Sequence, residues 1–193
     1  VPPTSEKMDV MRFTVWYLME RLKDIHRIIR EIDTISPIHE NPHNVMGVLH
    51  DGGQDPWLEG ELCDFLGCSA HPVHHATRYG FERWDEAIAD FSAVMRGASK
   101  RRYFWVSELQ GGASIGSAGL THCPTRYDIR RWLWTSLGSG AQAIVYWCFN
   151  TRHEGNEAGE WGLLDWRGQP SVRCDESKKV SQALQRHAEL FTA

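Results

Sequence analysis

A glutamate that follows directly on an unbroken apolar run is the first place to look for chemistry in this sequence. Tyr103-Phe104-Trp105-Val106 leads into Ser107-Glu108. If that run is a buried strand, its end holds a partly desolvated carboxylate, a state suited to a nucleophile or a general acid. The same Glu108 could instead cap a helix or pair with an arginine such as Arg101 or Arg126. A second place is Trp147-Cys148-Phe149-Asn150, closing another apolar run. Tyr146 and Phe149 read as core, whereas the indole of Trp147 could stack on the C–H face of a sugar while its N–H donates. The third is the polar loop from Arg152 to Gly162, which holds Glu154, Glu157, Glu160, His153 and Trp161. Such a loop is commonly solvated surface, yet carboxylates beside an indole also suit recognition of sugar diols. His71, His74 and His75 raise the question of a metal. No HExxH or paired cysteines accompany them, so they read as residues that shape a loop, and no metal is expected.

Four apolar runs could place these groups. After Ser5 as N-cap, Met11, Val15, Leu18, Leu22, Ile25, Ile29 and Ile32 recur at spacings of four and three, with Trp16 and Met19 widening the stripe. That is a long amphipathic helix closed by Ser36-Pro37, and its wide stripe suits packing on a sheet better than a coiled coil. The first strand is Ile38-His39-Glu40, followed by a weak helix over 57–63. A strand over 65–70 stops at His71-Pro72, and a helix follows over 82–98. The strand 103–106 leads through a Gly-rich loop (Gly111, Gly112, Gly116, Gly119) to a helix over 125–137. The last strand covers 143–149 and the last helix 174–191. Short, almost wholly apolar strands alternating with helices predict an α/β fold with parallel strands. In such folds functional groups gather where strands end. The Gly-rich loop lacks the spacing of a phosphate-binding loop.

Composition narrows the classes further. The chain has 193 residues, 41% of them hydrophobic and 24% charged, with a formal net charge of −4. That is globular composition with no electrostatic footprint for nucleic acid or an anionic membrane. No apolar run reaches the roughly 18 residues of a membrane-spanning helix. Five scattered cysteines without a CxxC argue against a disulfide framework and for a reducing, cytoplasmic setting.

Taken together, these residues resemble glycoside hydrolase family 42, the β-galactosidase family on a (β/α)8 barrel. The resemblance runs through Trp105-Val106-Ser107-Glu108-Leu109-Gln110-Gly111-Gly112 and Cys123-Pro124-Thr125. It continues through Trp132-Leu133-Trp134-Thr135-Ser136-Leu137-Gly138-Ser139-Gly140-Ala141 and Glu157-Ala158-Gly159-Glu160-Trp161-Gly162-Leu163-Leu164-Asp165. Residues 55–72 look like the family's sixth-strand region. The resemblance implies that residues 1–193 are the second half of the barrel, from the helix after strand four through strands five to eight. It implies that Glu108 is the nucleophile of a retaining mechanism acting on terminal β-D-galactosyl residues. Trp147 would be the aromatic floor under the sugar and Glu157 a carboxylate that holds its hydroxyls. Glu160 stands where many family members carry His, and Gly116 where they carry an aromatic. Glu160 and Trp161 are then candidate substitutes, and the sugar is open between galactose and a relative such as an arabinopyranoside. Retaining chemistry needs a second carboxyl roughly 5–5.5 Å away. The family's acid/base sits in an Asn-Glu pair at the end of strand four, and Glu40-Asn41 has the wrong order and place. The acid/base is therefore expected outside these residues, no cofactor is expected, and the alternative is an inactive or vestigial carbohydrate-binding domain. Half a barrel also implies a companion, either the missing N-terminal half or a second copy in a homo-oligomer.

Overall fold

Residues 4–43, 53–76, 79–100, 103–113, 122–155 and 157–191 are described in the structure, a computed structural model. Arg101, Gly116 and Gly119 lie outside these residues. The long apolar stripe becomes α1 (Ser5–Ile32). Its N-cap is Thr4, whose hydroxyl accepts from the Lys7 N–H at 3.3 Å, and Ser5 is already helical. At the other end the Asp33 carboxylate accepts from the Ile35 and Ser36 N–H groups, and the Ser36 side chain, followed by these N–H groups, holds its carboxyl down to about 2. The stripe packs mainly on α2 (Pro56–Leu62), and Met19 is the buried residue of α1. Its contact with the expected sheet is slight, with His26 facing Glu40 at 3.5 Å. Asp55 caps α2, accepting from the N–H groups of Trp57 and Leu58.

Four parallel strands form one sheet in the order β1 (His39–Glu40), β2 (Phe65–Ala70), β3 (Phe104–Gln110), β4 (Ala141–Trp147). Each crossover carries helix: α2 precedes β2, α3 (Pro72–His75) and α4 (Trp84–Ala98) precede β3, and α5 (Arg126–Gly138) precedes β4. A last helix, α6 (Val172–Arg186), packs on α5. His74 and His75, expected in a loop, form the turn of α3 that His71 opens. Thr125 and Asp128 make a capping box at the start of α5. β4 ends at Trp147, so Phe149 lies outside it and is 57% exposed, not core as expected. Tyr146 does lie inside, its hydroxyl paired with Ser177.

Period-two alternation sorts the strands into two faces. Leu66, Cys68, Ala70, Phe104, Val106 and Leu109 turn to the helices and are buried against Ile88, Phe91 and Met95 of α4 and Ile129 and Trp132 of α5. Burying a side chain of that size contributes about 1.5–3 kcal/mol, which makes this layer the main source of stability. On the opposite face His39 and Trp105 pack against Phe65, with ring centres 5.0 and 4.6 Å away. Gly67 lies beside them, and a Cβ there would sit 1.8 Å from Ser107 Oγ. That glycine is therefore needed for β3 to approach β2.

Candidate active site

β3 does not alternate throughout. Its register shifts between Val106 and Leu109, so one extra residue sits between two core-facing positions. Ser107 and Glu108 then both point away from the helices. Ser107 Oγ meets His39 Nε2 at 3.0 Å, while Glu108 reaches groups on β2 and after β1. A bulge re-aims a side chain in this way at many sites. Glu108 thus belongs to β3 itself, whereas the sequence put it just past the strand.

The Glu108 carboxylate is held at both oxygens. Oε1 accepts from Asn41 Nδ2 at 3.2 Å. Oε2 accepts from Ser69 Oγ at 2.9 Å and faces His71 Nε2 at 3.6 Å. Asn41 Nδ2 also donates to Ser69 Oγ, at 3.2 Å, which orients that hydroxyl toward the carboxylate. The partners are neither of the arginines considered from sequence, and the carboxylate caps no helix. His71, and then Ser69, hold its carboxyl below the usual glutamate range against an opposing push from burial. Glu108 is therefore ionised at neutral pH while half-buried, as a carboxylate nucleophile must be. Among the described residues no other carboxylate is a hydrogen-bond or ion-pair partner of Glu108.

The other expected residues lie on the loop after β4. Trp147 pairs in register with Gln110, two residues past Glu108, and its peptide to Cys148 is cis. The Arg152 guanidinium lies 5.6 Å above the Trp147 ring and forms an ion pair with Glu157. Glu157 in turn lies close enough to His74 to favour its charged form, though burial and His71 outweigh this and keep His74 below the usual imidazole range. Trp161 is 2% exposed, with one face on the His74 ring (centres 5.4 Å apart) and its Nε1 buried without a hydrogen bond among the described residues. It is a wall of the site and not an open platform. Glu160 is half-buried, its backbone carbonyl accepts from the Ala113 N–H at 2.7 Å, and its carboxylate makes no hydrogen bond among the described residues.

Two buried polar residues that the sequence did not single out fasten the loops together. Arg173 of α6 donates to the carbonyls of Gly111 (3.0 Å) and Gly162 (3.1 Å), tying the chain after β3 to the loop of Trp161. A Cβ at Gly112 would lie 2.0 Å from the Glu160 carbonyl, so these backbones touch. Gln110, fully buried, accepts from the Val73 N–H at 3.3 Å and donates to the Gly112 carbonyl at 3.0 Å, joining α3 to the same junction. His71, Ser69 and Asn41 were also missed as partners of Glu108. The strand-end rule, applied to β1 and β2 as it was to β3 and β4, would have found them. Four imidazoles crowd here, with His43 and His71 ring centres 4.9 and 5.5 Å from His75. Among the described residues no group of His, Cys, Asp or Glu is arranged to hold a metal ion.

Parallel strands with crossover helices, and a polar site at their C-terminal edge, define an α/β protein of the (β/α)8-barrel class. The geometry agrees with what similarity to known proteins gives. A family model described as beta-galactosidase, glycoside hydrolase family 42, matches residues 1–187, and the chain belongs to that family. Beta-galactosidase BgaA of a Thermus species is 25% identical over 194 residues, covering 95% of this chain and 29% of its own length. The beta-galactosidase of Thermus thermophilus is 24% identical over the same shares. Among solved structures, the beta-galactosidase of the psychrophilic Marinomonas ef1 superposes with a TM-score of 0.84 at 20% identity, covering 98% of this chain and 30% of that one. A catalytic mutant of Gan42B, a family 42 beta-galactosidase from G. stearothermophilus, gives 0.79 at 15% identity, covering 94% and 26%. The chain spans about 29% of the length of the curated relatives it matches.

Proposed function

We propose that residues 1–193 carry the nucleophile half of a retaining β-galactosidase-type glycoside hydrolase, as the C-terminal part of its catalytic barrel. The observation that carries this reading is Glu108, an ionised carboxylate held by two hydrogen bonds and a facing imidazole at the C-terminal edge of a parallel sheet. A Glu108 oxygen attacks the anomeric carbon, the bond to the leaving oxygen breaks, and a glycosyl ester remains until water cleaves it with net retention. Trp147 and Trp161 border the sugar, and Glu157 and Glu160 accept hydrogen bonds from its hydroxyls. The general acid that protonates the leaving oxygen comes from polypeptide outside these residues, and its help is worth about 10²–10⁴-fold. With natural galactosides the isolated chain turns over negligibly. The substrate is a terminal β-D-galactosyl or related β-glycosyl unit.

A second reading is a domain that binds sugar without cleaving it. What favours it is that Arg152 already engages Glu157 and that His74 covers one face of Trp161. The two separate on 2,4-dinitrophenyl 2-deoxy-2-fluoro-β-galactoside. Its leaving group departs as a phenolate with the bonding electrons, so the first step needs no acid, and the fluorine slows hydrolysis of the ester. The hydrolase reading expects one sugar bound covalently at Glu108. Reversible binding without a mass increase supports the binding domain.

A further inference from the structure

Of the three side chains around Glu108, one differs in kind from the others. Asn41 and Ser69 are neutral donors at 3.2 and 2.9 Å. His71 is an ionisable ring, 4% exposed, at the mouth of β2. Its surroundings fix it from several sides. His75 and His74 of α3 lie 5.5 and 6.1 Å away ring to ring, and Trp161 lies 6.4 Å away. Its Nδ1 is buried with no hydrogen-bond partner among the described residues, while Nε2 faces the carboxylate. An imidazole N–H can point from Nε2 at the carboxylate whether the ring is neutral or charged. The titratable groups around the ring are Glu108 from β3, His74 and His75 from α3, His43 from the segment after β1 and, through His74, Glu157. On Oε2 the Ser69 hydrogen bond and the facing His71 ring lie together, whereas Oε1 has Asn41 as its one partner among the described residues.

We propose that His71 is a positioning residue for the nucleophile: with Ser69 it holds the Oε2 side of Glu108, leaving Oε1 as the oxygen that attacks the sugar. This rests on Glu108 being the nucleophile, but its first test uses no sugar. The largest influence lowering the Glu108 carboxyl is the His71 contact, which agrees with the geometry.

The test is the titration of the Glu108 side-chain carbon by NMR in the full chain, assigned through Glu108→Gln, together with the imidazole nitrogen signals of His71. In the unaltered protein the Glu108 midpoint lies below 4.5 and His71 Nε2 shifts with the same midpoint. His71→Ala moves the Glu108 midpoint up, and His71→Gln, which can still donate at that distance, restores most of it. Covalent labelling by the fluorosugar slows about tenfold in His71→Ala at unchanged half-saturating concentration, and His71→Gln recovers it. A purely structural role would lower melting temperature without moving the midpoint. An unchanged Glu108 midpoint in folded His71→Ala would falsify the proposal. So would a His71 Nε2 signal that ignores the Glu108 titration, a reading available even when neither variant folds. Failure of labelling in the unaltered protein, with the titration coupled as expected, would count against the nucleophile reading instead.

Discussion

At Glu108 the proposed chemistry depends on keeping a half-buried carboxylate charged. Its folded carboxyl is lower than a free glutamate's, so its contacts add stability above the unfolded value near 4.5 and lose it as pH falls through the folded one. Labelling at Glu108 should therefore stay flat from neutral pH down to about 4.5 and fall only below that, measured as rate against pH. A fall centred near pH 6 would show that some other group controls the step. Glu59 on α2 behaves in the opposite sense. It is 1% exposed, and burial, followed by the charge of Glu40, outweighs the opposing influence of the Asp55 backbone N–H and pushes its carboxyl up to about 7. A raised value means that its stability contribution is present below 4.5 and lost as pH rises through 7. Glu59→Gln, neutral at every pH, should therefore stabilise the chain by about 2–3 kcal/mol at pH 8 and little at pH 4, read from denaturant unfolding at both. Equal effects at the two values would contradict this.

At the scale of elements, the bulge in β3 and the junction of the loops decide whether these residues meet. Gly67 lets β3 come close enough for Ser107 to reach His39, and Gly67→Val should unfold or shift β3, seen as lost near-ultraviolet circular dichroism. Arg173 ties two loop carbonyls together from a buried position. Arg173→Met keeps the stem and removes the donors, leaving buried carbonyls unpaired, and should cost about 2–4 kcal/mol of unfolding free energy. A loss under 0.5 kcal/mol would show that water replaces the guanidinium there. The elements were largely legible in sequence, because apolar runs such as 65–70 and amphipathic periods such as 82–98 are local signals. The bulge was not, because only pairing with β2 and β4 reveals that Ser107 and Glu108 share a face. Arg173 escaped for a related reason: on an amphipathic helix an arginine reads as surface, and the two carbonyls it serves are far away in the chain. Phe149 was misjudged because the apolar run outlasts the strand by two residues.

For the whole molecule, the sheet is open. Among the described residues β1 and β4 pair on one side each, and Val145 of β4 is 47% exposed. Two apolar grooves of about 450 Å³ are open, one between α1 and α2 near Met11, Trp16 and Leu58, the other beside β4 near Leu137, Ile144 and Leu184. No described helix is long and apolar enough to cross a membrane, so these surfaces are not explained by a helical membrane span. They fit the proposal that these residues work beside a companion, the rest of a barrel or a second copy. Light scattering of the chain alone should show self-association, or dye binding should report exposed apolar surface. A dye-silent monomer would refute the need for a companion.

The central claim is that Glu108 is the group that bonds to the sugar. It is tested most directly by incubating the chain with 2,4-dinitrophenyl 2-deoxy-2-fluoro-β-galactoside and sequencing the peptides by mass spectrometry. The account predicts one equivalent of dinitrophenolate released and one fluorogalactosyl group on Glu108, absent in Glu108→Gln. A label on another residue, or phenolate release that persists in Glu108→Gln, would contradict it.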